Sequence, residues 1–182
     1  MKNNKGMTLV ELIVGFALTG IFMAAAVIVL SSSMRVFVRA NNVAHAQTVT
    51  DMLFETMTSE LSAAADAGFK DTLKPMIVNG DSISFVDKNA YPVIMSKDED
   101  GHLYLEYQEV KDAVGDVEKM VRWQYQADTY LSTKISELNF EHIGGNLIKI
   151  SMTLASEKSD YTYEAQRIIE CYNLDEGAIQ KG

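Results

Sequence analysis

Glu11 is the residue whose setting most demands a chemical reason. It is the single charge in residues 7–30, a run of 24 residues from Met7 to Leu30. An acid placed inside a membrane-spanning helix costs on the order of 3 kcal/mol, and such residues are paired and functional more often than not. The plainer reading is that Glu11, four residues into the run, snorkels to the membrane edge. Directly upstream, Lys5-Gly6-Met7 marks a polar-to-apolar boundary with glycine at the junction. Cleavage after Gly6 would expose a new α-amino group on Met7. That cation and the Glu11 carboxylate could neutralise each other in apolar surroundings. The pair could form within one chain at i, i+4, or between neighbouring chains, where it would set their axial stagger. A buried ion pair fixes register more reliably than it adds stability.

The other chemistry-bearing residues form no catalytic pattern. His45, His102 and His142 include no His-x-x-x-His or His-Glu-x-x-His pair, and no Gly-x-Ser-x-Gly elbow is present. The lone Cys171, between Glu170 and Tyr172 on a predicted strand, reads as a small buried or edge residue rather than a nucleophile. There is no phosphate-binding or dinucleotide motif, so the chain would not power its own assembly, and no cofactor is implied. Asp98-Glu99-Asp100-Gly101 offers carboxylates but lacks the ligand spacing and terminal Glu of a calcium loop. A solvated turn is its default reading, calcium the minority one. The tyrosines at 104, 107, 125, 130, 161, 163 and 172 form a sheet face or a contact surface.

These residues must be positioned by elements that the pattern reveals. The chain has 182 residues, 47% of them hydrophobic, and two prolines, too apolar for a disordered chain. The net charge of −9 argues against phosphate-driven nucleic-acid binding. Residues 1–64 are charge-balanced, so residues 65–182 carry all of the −9. Residues 7–30 are long enough to span a bilayer as a helix, which takes about 20 apolar residues. Lys2 and Lys5 precede the run, which places the N-terminus in the cytoplasm and the bulk outside. Ala24-Ala25-Ala26 resembles a signal-peptidase site, but cutting there would leave the apolar stub Val27 to Leu30.

The helix continues past the membrane. No proline occurs before Pro75, and an apolar stripe runs through Val36, Ala40, Val43, Ala46, Val49, Leu53, Met57, Leu61 and Ala64. With Gly68 as the stop, a helix from Met7 to Ala67 would be roughly 90 Å long. From about residue 74 the period changes to two. Ile83/Phe85, Leu103/Leu105/Tyr107, Val121/Trp123/Tyr125, Ile148 to Leu154 and Tyr161/Tyr163/Ala165 read as half-buried strands. Lys97 to Gly101 and Gly144-Gly145-Asn146 read as turns. The expected fold is α+β: one long N-terminal helix, apolar then amphipathic, packed on an antiparallel sheet of about five to seven strands. The expected segments are a leader (1–6), a spanning helix (7–30), its amphipathic continuation (31–67), a β-sheet domain (68–174) and a frayed polar tail (175–182).

Lys5-Gly6-Met7-Thr8-Leu9-Val10-Glu11-Leu12-Ile13-Val14 closely resembles the cleavage and methylation motif of type IV pilins and type II secretion pseudopilins. The resemblance implies cleavage between Gly6 and Met7 by a prepilin peptidase and N-methylation of Met7. It implies that Glu11 docks against the Met7 amine of a neighbouring subunit. It also implies partners: other pilin or pseudopilin subunits, a platform protein and a cytoplasmic ATPase. The subunit would sit in the cell membrane, in contact with lipid, as a single-pass protein with its β domain outside, and then join the filament. Moving from lipid to a helix bundle changes little apolar burial, so close packing at Gly15, Ala17, Gly20 and Ala24 to Ala26 and polar pairing would do the selecting. Glycine is also simply tolerated in spanning helices. Two departures from many major pilins stand out: no proline interrupts the apolar run, and Cys171 has no partner. Both favour a minor over a major subunit, and the expected role is that of a non-catalytic minor subunit of a type IV pilus or type II secretion pseudopilus, with a competence system also open. The alternatives are a bitopic anchor carrying an extracytoplasmic binding domain, or a membrane-tethered enzyme.

Overall fold

The structure, a computed structural model, describes residues 8–65, 76–110, 117–174 and 177–182. The chain divides into two compact units, Met1–Asn42 and Val43–Gly182. Helix α1 (Leu9–Ser62) contributes to both.

In the first unit α1 is apolar all round as far as Leu30, Glu11 being the one charge, and Arg35 and Arg39 follow. Its large apolar side chains from Leu9 to Val38 are exposed, and the helix is long and apolar enough to cross a membrane. A helix without a polar face needs an apolar environment on every side. Thr19 fits this setting because its hydroxyl donates to the Gly15 carbonyl at 2.8 Å. The stripe expected from Val36 and Ala40 onward is exposed at both of those residues.

In the second unit the stripe does bury. Ala46, Val49, Thr50, Leu53, Phe54, Met57 and Leu61 are covered. A large apolar side chain contributes about 1.5–3 kcal/mol on full burial, so this face anchors α1 to the sheets. The helix ends at Ser62, short of residue 67. The Ala65 amide turns away to donate to the Val86 carbonyl at 2.8 Å. Gly68, the expected stop, lies outside the described residues.

Nine strands follow among the described residues: β1 (Met76–Val78), β2 (Ser82–Val86), β3 (Pro92–Lys97), β4 (Leu103–Val110), β5 (Val117–Gln124), β6 (Thr133–Gly144), β7 (Leu147–Ser156), β8 (Thr162–Glu170) and β9 (Ile179–Lys181). They make two sheets rather than one. The larger has the order β5-β4-β3-β2-β1-β9, the smaller β6-β7-β8. All pairings are antiparallel except β1 with β9, where Met76 lies opposite Ile179. The α+β layout with one long N-terminal helix is therefore present, and the strand count is higher than expected. The tail expected to fray instead supplies β9, with Ile179 buried, because β1 offers it an open edge.

One hydrophobic core joins both sheets to α1. Leu53, Met57 and Leu61 share it with Ile83, Met95, Leu103 and Leu105 of the larger sheet and Phe140, Ile148 and Ile150 of the smaller. The β3–β4 turn touches β6 through Gly101. A Cβ there would lie 2.7 Å from the Ile135 carbonyl oxygen, and φ is +82°. Glycine alone satisfies both conditions.

Candidate functional site

The start of α1 is built by two residues. Thr8 precedes the first helical residue, and Glu11 is the third within the helix. The Thr8 amide donates to Glu11 Oε2 at 2.9 Å, and the Thr8 hydroxyl donates to the same oxygen at 3.0 Å. The Glu11 amide donates in return to Thr8 Oγ1 at 3.3 Å. This is a capping box, which satisfies amides that the first turn leaves without partners. A carboxylate at a helix N-terminus also complements the helix dipole. The Thr8-Leu9-Val10-Glu11 spacing announces the box in the sequence, a signal separate from the charge in an apolar run and from the methylation motif that single out Glu11.

Among the described residues, Glu11 has no cationic neighbour, and its second oxygen, Oε1, accepts no hydrogen bond. Gly6 and Met7, the expected cleavage and methylation positions, lie outside the described residues. Further along, the positions where Gly15 and Gly20 would carry a Cβ have nothing within 4 Å. Both therefore present open backbone to an approaching helix.

The remaining candidates resolve into structural roles. The Asp98 carboxylate accepts the His102 amide at 2.7 Å, and the His102 ring lies 4.6 Å from that of Tyr130. Asp98, Asp100 and His102 can bring ligand atoms within 4.8 Å of one another. The turn expected here is present, and His102, rather than Glu99, joins its carboxylates. His142 contacts the Gly145 carbonyl at 2.9 Å within the β6–β7 hairpin, while His45 lies on α1. No described group of potential ligands contains two histidines. Cys171 is fully buried just after β8, with its amide donating to the Asn146 carbonyl. Burial, and then the charge of Glu170, push its thiol up to about 11. It is therefore a protonated core residue at neutral pH.

The tyrosines divide between core and surface. Tyr130 is buried, and its hydroxyl accepts the Leu103 amide at 2.7 Å. Tyr107, Tyr125, Tyr161 and Tyr163 pack against the core from its margin, whereas Tyr172 is exposed.

Residues 1–27 match the family model described as the prokaryotic N-terminal methylation motif, the signature of type IV pilins and pseudopilins. No curated protein and no solved structure matches the chain. The motif supports a pilin-like or pseudopilin-like precursor. It implies processing by a prepilin peptidase and assembly with other pilin subunits. The apolar first unit of α1 fits membrane anchoring.

Proposed function

We propose that this chain is a minor, non-catalytic subunit of a type IV pilus or type II secretion pseudopilus. A prepilin peptidase cuts between Gly6 and Met7 and methylates the Met7 amine. The N-terminus starts in the cytoplasm, residues 7–30 cross the membrane once, and the β unit lies outside. A platform protein and its ATPase then draw the helix from lipid into the filament.

The match of residues 1–27 to the methylation motif, with Glu11 inside it, carries this reading. The geometry at Glu11 supports a docking role. Its Oε2 is occupied by Thr8, which orients the carboxylate, while Oε1 has no described partner for a neighbouring chain's Met7 ammonium to displace. Low-dielectric surroundings strengthen such a pair and penalise a misaligned one. The proline-free apolar run and the unpaired Cys171 favour a minor over a major subunit.

Mass spectrometry of the native N-terminus tests the proposal. Met7 with one added methyl is expected. An intact Met1 in functional protein overturns it in favour of a bitopic anchor, and cleavage after Ala26 overturns it in favour of a secreted protein.

A further inference from the structure

Beside its buried stripe, α1 carries a second face in the Val43–Gly182 unit. Met52, Glu55, Thr56 and Glu60 lie along it and border a cleft of about 430 Å³. Leu105 and Tyr107 of β4, Trp123 of β5 and Tyr125 just beyond complete the lining. The cleft exists because the sheet extends one strand past the cover that α1 provides. Leu105 pairs with Trp123 and Tyr107 with Val121, so all four face the same side. Leu105 is buried, yet Trp123 is 40% and Val121 48% exposed.

The lining is held in place. The hydroxyls of Thr56 and Tyr125 lie 2.8 Å apart, and the Trp123 and Tyr125 rings meet edge to face at 4.8 Å. The Tyr107 hydroxyl lies beside the Glu60 carboxylate and favours its charged form. Burial raises the Glu60 carboxyl above the usual carboxylate range, and the charge of Asp87 adds to this. Lys88 and the Tyr107 hydroxyl oppose the shift without cancelling it. Neither Glu55 nor Glu60 forms an ion pair with a described side chain.

Three aromatic rings and two carboxylates thus surround the apolar surface of Met52 and Leu105. Ring faces and carboxylates both attract cations, and the apolar base suits methylene groups. The complementary ligand is an alkyl stem ending in a cation. The cleft also adjoins the outer edge of β5, which has no partner strand among the described residues. An extended chain pairing with that edge would carry its side chains to the cleft mouth. We propose that the cleft captures a lysine or arginine side chain from an extended segment of a protein partner. The inference concerns the second unit alone and does not rest on the filament reading.

Trp123 is the only tryptophan, so its emission in the full chain, held in detergent micelles, reports the cleft directly. The probes are acetyl-Val-Arg-Val-amide and its neutral isostere with citrulline replacing arginine. The arginine peptide should give a saturating change, with the citrulline peptide at least about tenfold weaker. Glu60→Gln should weaken arginine-peptide binding about tenfold, and Glu157→Gln, beyond β7, should leave it unchanged. Should Glu60→Gln shift the melting temperature, Glu55→Gln replaces it with the same expectation. Equal binding of both peptides, an unaffected glutamine variant, or no saturation by about 10 mM peptide overturns the proposal. Butylammonium binding as tightly as the arginine peptide also overturns it, making the cleft a small-molecule site.

Discussion

The Glu11 carboxylate accepts the backbone amide of Thr8 at 2.9 Å, so the acid that stands out in the apolar run also holds the first turn of its own helix. Its removal therefore has a local and an intermolecular effect. Loss of a helix cap costs about 1 kcal/mol, too little to unfold a helix of 54 residues. Glu11→Ala should leave membrane insertion and N-terminal processing largely intact while blocking incorporation into filaments. Comparing processed protein in membranes with protein in sheared filaments checks this. Normal incorporation would remove the pairing argument.

Cys171 should resist alkylation. Its thiol is buried and pushed up to about 11, so almost no thiolate exists at pH 8. Iodoacetamide should label the native chain at least about a hundredfold more slowly than the urea-unfolded chain, as followed by intact mass. Equal rates would place the thiol at the surface.

Alkali should destabilise the second unit. Cys171 is raised from 9.0 to about 11, and Tyr130 from 10.0 to about 12, burial being the first cause for each. As pH rises through the ordinary values, the unfolded chain loses these protons while the folded chain keeps them. The unfolded state then binds fewer protons, so stability falls from about pH 9 upward. Tyr130→Phe should soften the part of this decline between about pH 10 and 12. It should also cost about 1–3 kcal/mol at neutral pH, because the buried Leu103 amide loses its acceptor. Urea midpoints across the pH series measure both effects, and a midpoint that rises with alkali would contradict them.

Gly101 and Gly145 should respond differently to alanine. Both have positive φ, but a Cβ at Gly101 meets the backbone of Ile135, whereas one at Gly145 meets nothing within 4 Å. Gly145→Ala should cost about 1 kcal/mol from backbone conformation alone. Gly101→Ala should cost about 2 kcal/mol or more, since β3–β4 and β6 must separate. Equal urea midpoints for the two variants would show that the turn yields freely.

Much of this layout is legible in the residues. The absence of proline and the three-four stripe mark α1, and alternation marks β7 throughout, β4 from Leu103 to Tyr107, β2 as far as Phe85 and β8 as far as Ala165, because one face of each turns toward the core. β6 is harder to read. Ile135 and Leu138 are both buried although three residues apart, because the register shifts between Ile135 and Glu137. β1 and β9 have three residues each, too few to display a period, and only their pairing identifies them, β1 with β2 and β9, and β9 with β1. The alternation in β5 is clear, but Val121 and Trp123 remain open because cover depends on how far α1 reaches, a tertiary property. At the candidate site, Glu11 declares itself by its charge, while its bond to Thr8 requires recognising a spacing common to many helix starts.

The parallel seat of β9 beside β1 has a consequence for biogenesis. During synthesis, β1 emerges about a hundred residues before the segment that will cover it, at a ribosomal pace of roughly 5–20 residues per second. For several seconds the larger sheet has a bare flank able to recruit a stray strand, while the greasy helix is already available to the lipid. Residues 179–181 arrive last to cover β1, so the final residues of the chain decide which strand occupies that edge.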